Sequence, residues 1–189
     1  LFVWNQFVTV PEGAAEVEVL AKQWTWGYRF PGKDGKLGKT GARNINDDNP
    51  FGIDPKDPNG KDDVVVDDSE LHLPLNKPVK VLLRSIDVLH DFHVPQFRAK
   101  MDMVPGQVTY FWFEPTRTGN FDVMCYELCG VGHYAMRGNV VVESDSEFQK
   151  WLQEQTTFAE SMANVSKQER SKQVSSVKVK DSEKSVSTQ

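Results

Sequence analysis

From residue 63 to residue 143 the chain repeats one pattern: short apolar runs, each closed by Pro, Gly, Asn or Asp. The runs are "DVVVDD", "ELHLPL", "PVKVLLRSI", "VTYFWFEP", "NFDVMC" and "GNVVVES". Runs of this length, rich in β-branched and aromatic residues, are strand signals. No long helical period intervenes, so a β-sandwich or barrel is predicted rather than a βαβ fold. Upstream, "QWTWGYRF" places Trp24, Trp26, Tyr28 and Phe30 at every second position. That alternation predicts a strand with four aromatics on one face, most of them core packing. The one good helix is "SDSEFQKWLQEQ", where Ser144 and Glu147 make a capping box and Phe148, Trp151 and Leu152 an apolar stripe. A chain of 189 residues, 39% of them hydrophobic, suffices for one domain with a real core.

Three segments depart from this pattern. The opening "LFVWNQF" is apolar and abrupt, and residues 1–13 read as a lead-in. They are either the end of a removed or separate signal or membrane anchor, or a frayed terminus. Residues 31–63 are dense in Gly, Pro, Asn and Asp and read as a long solvated loop inserted into the domain. Its Asp spacing does not fit a calcium-binding EF-hand, because Pro55 occupies the second ligand position. Its charge is segregated: Arg29, Lys33, Lys36, Lys39 and Arg43 lead, and nine acids follow between 46 and 70. Residues 156–189 become Ser- and Lys-rich and read as a disordered or loosely attached tail. The net charge of −5 argues against nucleic acid and suits a basic protein partner.

Chemistry concentrates in "CYELCGVGHYAM", residues 125–136, which holds both cysteines, one of four histidines and one of five methionines. A disulfide, a zinc site and a copper site are all compatible with so small a cluster. A disulfide between Cys125 and Cys129 would close a very short loop, constrain little, and leave His133 and Met136 unexplained. Zinc would use the thiolates and His133 but rarely recruits a thioether. Thiolate, imidazole and thioether together form the soft donor set that copper selects. Two thiolates can bridge two copper ions, and each ion then needs a nitrogen, so a second histidine must come from elsewhere. His90 and His93 lie in "SIDVLHDFHVPQFRAKMDMVPG". Three apart on extended chain, they face opposite ways, and only one can enter the site. A surface or structural role is expected for the other and for His72.

With these pieces assembled, the chain resembles the soluble copper domain of cytochrome c oxidase subunit II. The resemblance rests on Cys125, Glu127, Cys129, His133 and Met136, on the upstream "DVLHDFHVPQFRAKMDMVPG", and on "QWTWGYRF". It covers residues 14–155 apart from the 31–63 insert. It implies an all-β, cupredoxin-like Greek-key sandwich with a dinuclear CuA centre. In that pattern Cys125 and Cys129 bridge two coppers, His90 and Met136 serve one, and His133 and the Glu127 backbone carbonyl serve the other. The Glu127 carboxylate would face a magnesium or manganese ion shared with the catalytic subunit. Trp24 matches the aromatic residue where electrons arrive from cytochrome c. The implied partners are cytochrome c, the haem-copper catalytic subunit I and other oxidase subunits. The implied location is the outer side of an energy-transducing membrane, bacterial or mitochondrial, with attachment through the complex or an anchor.

Rival readings are the CuA module of nitrous oxide reductase, a quinol-oxidase subunit, and a thioredoxin-type copper assembly protein. The Glu127 position, the full ligand set and the strand-rich pattern respectively favour the oxidase. The sequence departs from the family pattern at Arg29, which stands where many relatives carry an acid, and in the long insert. The insert acids Asp47, Asp48, Asp54 and Asp57 are therefore expected to steer a basic donor instead.

Overall fold

The computed structural model describes residues 1–168. Two five-stranded sheets face each other. The strands are β1 (Ala15–Lys22), β2 (Thr25–Phe30), β3 (Val64–Val66), β4 (Glu70–Pro74), β5 (Val79–Ser85), β6 (His90–Val94), β7 (Ala99–Met103), β8 (Thr109–Phe113), β9 (Gly119–Cys125) and β10 (Arg137–Glu143). One sheet runs β3-β2-β1-β5-β8 and the other β4-β10-β9-β6-β7. β1 with β5 and β4 with β10 pair in parallel; the other pairs are antiparallel. The chain changes sheets after β3, β4, β5, β7 and β8, which gives the Greek-key sandwich its crossovers. The fold class predicted from the runs is the one observed. β6 and β7 form an antiparallel hairpin within the histidine-bearing stretch, where no strand is predicted.

The inner faces meet in a core that includes Val17, Val19, Trp26, Tyr28, Leu71, Val81, Phe92 and Val140, all nearly inaccessible. Trp26 packs edge-on against Phe92, with ring centroids 5.6 Å apart. The alternation at the start of the domain is only partly inward. Trp26, Tyr28 and Phe30 enter the core, whereas Trp24 precedes β2 and lies half-buried at its edge. Helices α1 and α2 flank the sandwich. α1 (Phe2–Val8) carries exposed Phe2, Val3, Trp4 and Phe7, and the Trp112 indole N–H donates to its Gln6 carbonyl at 3.1 Å. α2 (Asp145–Glu154) starts at the capping box formed by Ser144 and Glu147. Its Phe148 and Trp151 pack on Phe30, and Trp151 stacks on His72 at 4.1 Å. His72 also bonds Glu143 at 2.9 Å, the structural role expected of it.

Residues 31–63 are not a solvated loop. Phe51 and Ile53 are buried and form a second small core with Leu20 and Phe158. This lobe covers the outer face of β1 and β2, so every residue from Trp26 to Phe30 is buried on one side or the other. Arg29 lies beneath it, 3% exposed, with its Nε on Glu18 at 2.6 Å and its Nη1 on Asp63 at 2.6 Å. Arg29 is therefore no part of a docking surface: its charge is consumed in holding the lobe. The first part of the segment read as a tail is attached as well. The amides of Phe158 and Ala159 donate to the carbonyls of Asp63 and Lys61 at 2.7 and 3.0 Å, and residues 158–168 are helical. The rest of that segment, 169–189, lies outside the described residues.

Candidate metal centre

One end of the second sheet delivers the donors. β9 ends in Cys125 and β10 begins just after Met136, and the two are antiparallel neighbours. The eleven residues between them, 126–136, therefore form a closed loop with both feet on the sheet. β6 lies on the other side of β9 and starts at His90. This pairing brings a histidine 35 positions upstream against the cysteine loop. His90 is fully buried, with its Nδ1 3.8 Å from the Cys125 Sγ. Both cysteines are free, and their Sγ atoms lie 3.7 Å apart. From the Cys129 Sγ, the His133 Nδ1 is at 3.6 Å and the Met136 Sδ at 4.0 Å. The Glu127 carbonyl oxygen is 3.2 Å from the Cys125 Sγ. All six atoms named by the resemblance thus converge, and His90, Cys125 and Cys129 form the one potential metal-ion group among the described residues that uses His, Cys or carboxylate donors alone.

The arrangement fits a soft metal. With metal–sulfur bonds of about 2.3 Å, two sulfurs can share a metal at any separation up to ~4.6 Å, and the 3.7 Å observed lies within that reach. The donors are two thiols, two imidazoles, a thioether and a carbonyl, the set copper prefers over zinc. Electrostatics favour loss of the first thiol proton. Burial opposes a charge on Cys125, but the His90 ring and backbone contacts outweigh it and lower its pKa. Burial and the neighbouring Cys125 raise that of Cys129, so the pair releases one proton readily and the second reluctantly.

A surrounding shell holds these groups in place. The Asp87 Oδ1 bonds the His90 Nε2 at 2.9 Å, leaving Nδ1 turned towards the sulfurs. Burial works against the Asp87 charge, but bonds from the Gln23 amide, His90 and the Val88 amide hold its carboxyl below the usual range. On the cysteine side, the Gln23 Nε2 and the Trp24 Nε1 both donate to the Cys129 carbonyl, at 2.8 and 3.2 Å. Asp91 is fully buried, and burial, then its neighbour Asp102, push its carboxyl up to about 7. His93 points away from the donors, bonding the Ala99 carbonyl at 3.1 Å and packing on Tyr126. Sequence reasoning missed Gln23, Asp87 and Asp91. All three sit inside the quoted motifs: Gln23 beside Trp24, Asp87 three residues before His90, and Asp91 directly after it.

The sequence pattern of the family described as cytochrome c oxidase subunit II, periplasmic domain, matches residues 15–145. The chain belongs to this family. The subunit II domain is 62% identical over 159 residues to the alternative cytochrome c oxidase subunit 2 of Bradyrhizobium diazoefficiens, covering 84% of this chain and 57% of that protein. It is 30% identical over 153 residues to the cytochrome c oxidase subunit 2 of Cereibacter sphaeroides, covering 77% and 50%. The chain thus spans about half the length of the curated relatives it matches. Among solved structures it resembles the periplasmic domain of subunit II (CoxB) of Bradyrhizobium japonicum, with a TM-score of 0.56 and 30% identity over 77% of this chain and 95% of that one. It also resembles a subunit II domain captured in a mixed disulfide with the thioredoxin-like protein TlpAs, with a TM-score of 0.53 and 29% identity over 77% and 93%. No helix among the described residues of this subunit II domain is long and apolar enough to cross a membrane.

Proposed function

We propose that this domain binds a dinuclear CuA centre and serves as the electron-accepting part of a haem-copper oxidase on the outer side of its membrane. The observation that carries this reading is the convergence of six donors, three of them sulfurs, in one largely buried cluster. In the proposed assignment Cys125 and Cys129 bridge, His90 and Met136 complete one metal position, and His133 and the Glu127 carbonyl complete the other. Bound copper would supply one-electron redox chemistry, taking electrons from cytochrome c and giving them to haem in the catalytic subunit that reduces oxygen. The chain's own part is to hold the donors before metal arrives, exclude water from the thiols, and present a route to them. Trp24 is that route, because its indole N–H rests on the carbonyl of a bridging cysteine.

Beside Trp24 lies a groove of about 400 Å³ lined by Lys22, Thr25, Asp67, Asp68 and Arg137. Its two acids are placed to receive a lysine-rich donor such as a cytochrome c. The Glu127 carboxylate is half-buried and makes no hydrogen bond or ion pair among the described residues. That free carboxylate supports its proposed place at a magnesium or manganese ion shared with the catalytic subunit. Thiols 3.7 Å apart would also close readily to a disulfide, and copper needs them reduced. A thioredoxin-like dithiol, as in the mixed disulfide of the related subunit, is the reductant proposed for this chain: it would give two electrons and two protons and become a disulfide itself.

Copper content and EPR on the reconstituted chain test the reading. The expected result is two coppers per chain and one unpaired electron shared by both nuclei. One copper, a localised electron or stoichiometric zinc would overturn it. His90→Ala should abolish the spectrum, and His93→Ala should leave it intact.

A further inference from the structure

Gln23 touches both halves of the candidate centre from outside the donor set. Its side-chain Nε2 donates to the Cys129 carbonyl at 2.8 Å. Its main-chain N–H donates to the Asp87 Oδ2 at 2.6 Å, and the other oxygen of that carboxylate holds His90 at 2.9 Å. One residue is therefore two hydrogen bonds from the buried histidine and one from a cysteine peptide. Gln23 and Trp24 together fill both lone pairs of the Cys129 carbonyl. The cysteine loop is shaped to receive them. A Cβ on Gly132 would lie 2.4 Å from the Trp24 ring, and one on Gly130 would meet the Gln23 Nε2 and the Trp24 ring at 3.1 Å. Gly130 also has a φ of +118°, a conformation side chains rarely adopt. Only a loop with glycine at both places can close this tightly on the Gln23–Trp24 pair.

We propose that Gln23 is a positioning residue for the copper centre: it clamps the cysteine loop to the His90 strand, fixes the contact between Trp24 and Cys129, and raises the centre's reduction potential. This rests on the copper reading given above. Gln23 is an exposed residue, so its bond to Cys129 competes with water and adds little to global stability. The acceptor is different, because Cys129 is itself 3% exposed although its loop neighbours Leu128 and Val131 face solvent, and its carbonyl takes both donors. An N–H dipole aimed there favours the more negative, reduced state and holds the sulfur in one orientation. The effect of losing Gln23 therefore falls on the potential and on loop order rather than on the melting temperature.

Three variants separate these roles. Gln23→Ala removes the donor, Gln23→Glu keeps the shape but turns an acceptor on the carbonyl, and Trp24→Phe removes the second donor alone. None of them disturbs the main-chain bond from Gln23 to Asp87. In the metal-free chain, amide exchange at His133 and Ala135 should quicken about tenfold in Gln23→Ala, the worth of one hydrogen bond. In the copper-loaded chain, both Gln23 variants should still bind two coppers but show a lower potential and altered copper hyperfine splitting. Gln23→Glu should show the larger fall in potential. Effects of Gln23→Ala and Trp24→Phe on the potential should be non-additive, because the two donors share one acceptor. A lower melting temperature with unchanged potential, hyperfine splitting and loop exchange would reduce Gln23 to a structural residue and overturn the proposal. Failure of the wild-type chain to take up two coppers would overturn the copper reading itself, and the metal-free exchange measurement would still decide whether the clamp exists.

Discussion

Arg29 shows how far a single side chain can mislead when only its neighbours in sequence are known. Among four aromatics it stands where many relatives carry an acid, a departure that points at donor docking; in the fold it is buried between Glu18 and Asp63. Nothing local announces this, because the lobe that covers it is built from residues 31–63 and closed by Phe158. Removing one partner of a buried ionic cluster leaves the others uncompensated, so Arg29→Ala should cost about 3–5 kcal/mol in urea unfolding. Burial already holds the Asp63 carboxyl above its ordinary range despite Arg29. A raised folded pKa stabilises the fold below the unfolded pKa, and that gain is lost as pH rises through the folded value. The deficit of Arg29→Ala should therefore shrink as pH falls and Asp63 takes up its proton; a deficit that grew on acidification would contradict this account. The histidines were more legible. His90 and His93 must diverge on extended chain, and the pair register of β6 with β9 puts Phe92 opposite Cys125 and turns His93 outward.

Among the elements, strands with one apolar face declared themselves and the insert did not. β4, β5, β8, β9 and β10 each coincide with a run that alternation or β-branching marked. Residues 31–63 hide Phe51 and Ile53 among Gly, Asn, Pro and Asp, and the lobe borrows Leu20 from β1 and Phe158 from a segment nearly a hundred residues later. Composition averaged over a window cannot see a core assembled from three separate stretches. Phe158 is 4% exposed, so its loss leaves a void under the lobe. Phe158→Ala should destabilise by roughly 3 kcal/mol, near the lower end for a buried aromatic. Hydrogen exchange locates the damage: amides of Gly41 and Asp54, which bond to the carbonyls of Gly52 and Lys39, should lose protection first. Copper binding should survive in this variant, because the lobe covers the sheet that carries none of the donors. Equal loss of protection around Cys125 and Met136 would show that lobe and metal end unfold as one unit.

At the scale of the whole molecule, the sheet order decides which charges face a partner. No local run encodes that order, because it depends on five changes of sheet; the Greek-key arrangement comes only with the family resemblance. The acids expected to steer a donor were Asp47, Asp48, Asp54 and Asp57 of the insert. Asp57 is engaged by the amides of Lys39 and Asn59, which hold its carboxyl below the usual range, and Asp54 accepts from the Lys56 amide. Both are parts of local turns. Asp67 and Asp68 instead line the groove at Trp24. Charges within a Debye length, ~8–10 Å, of the contact set the steering at ordinary salt, and remote ones are screened. Asp67→Asn with Asp68→Asn should therefore slow association with a basic cytochrome several-fold at low ionic strength and flatten the salt dependence of the rate. Neutralising the four insert acids together removes twice the charge yet should slow it less. Stopped-flow rates across a salt series read both, and a larger effect from the insert would move the docking face from the Trp24 groove onto the lobe.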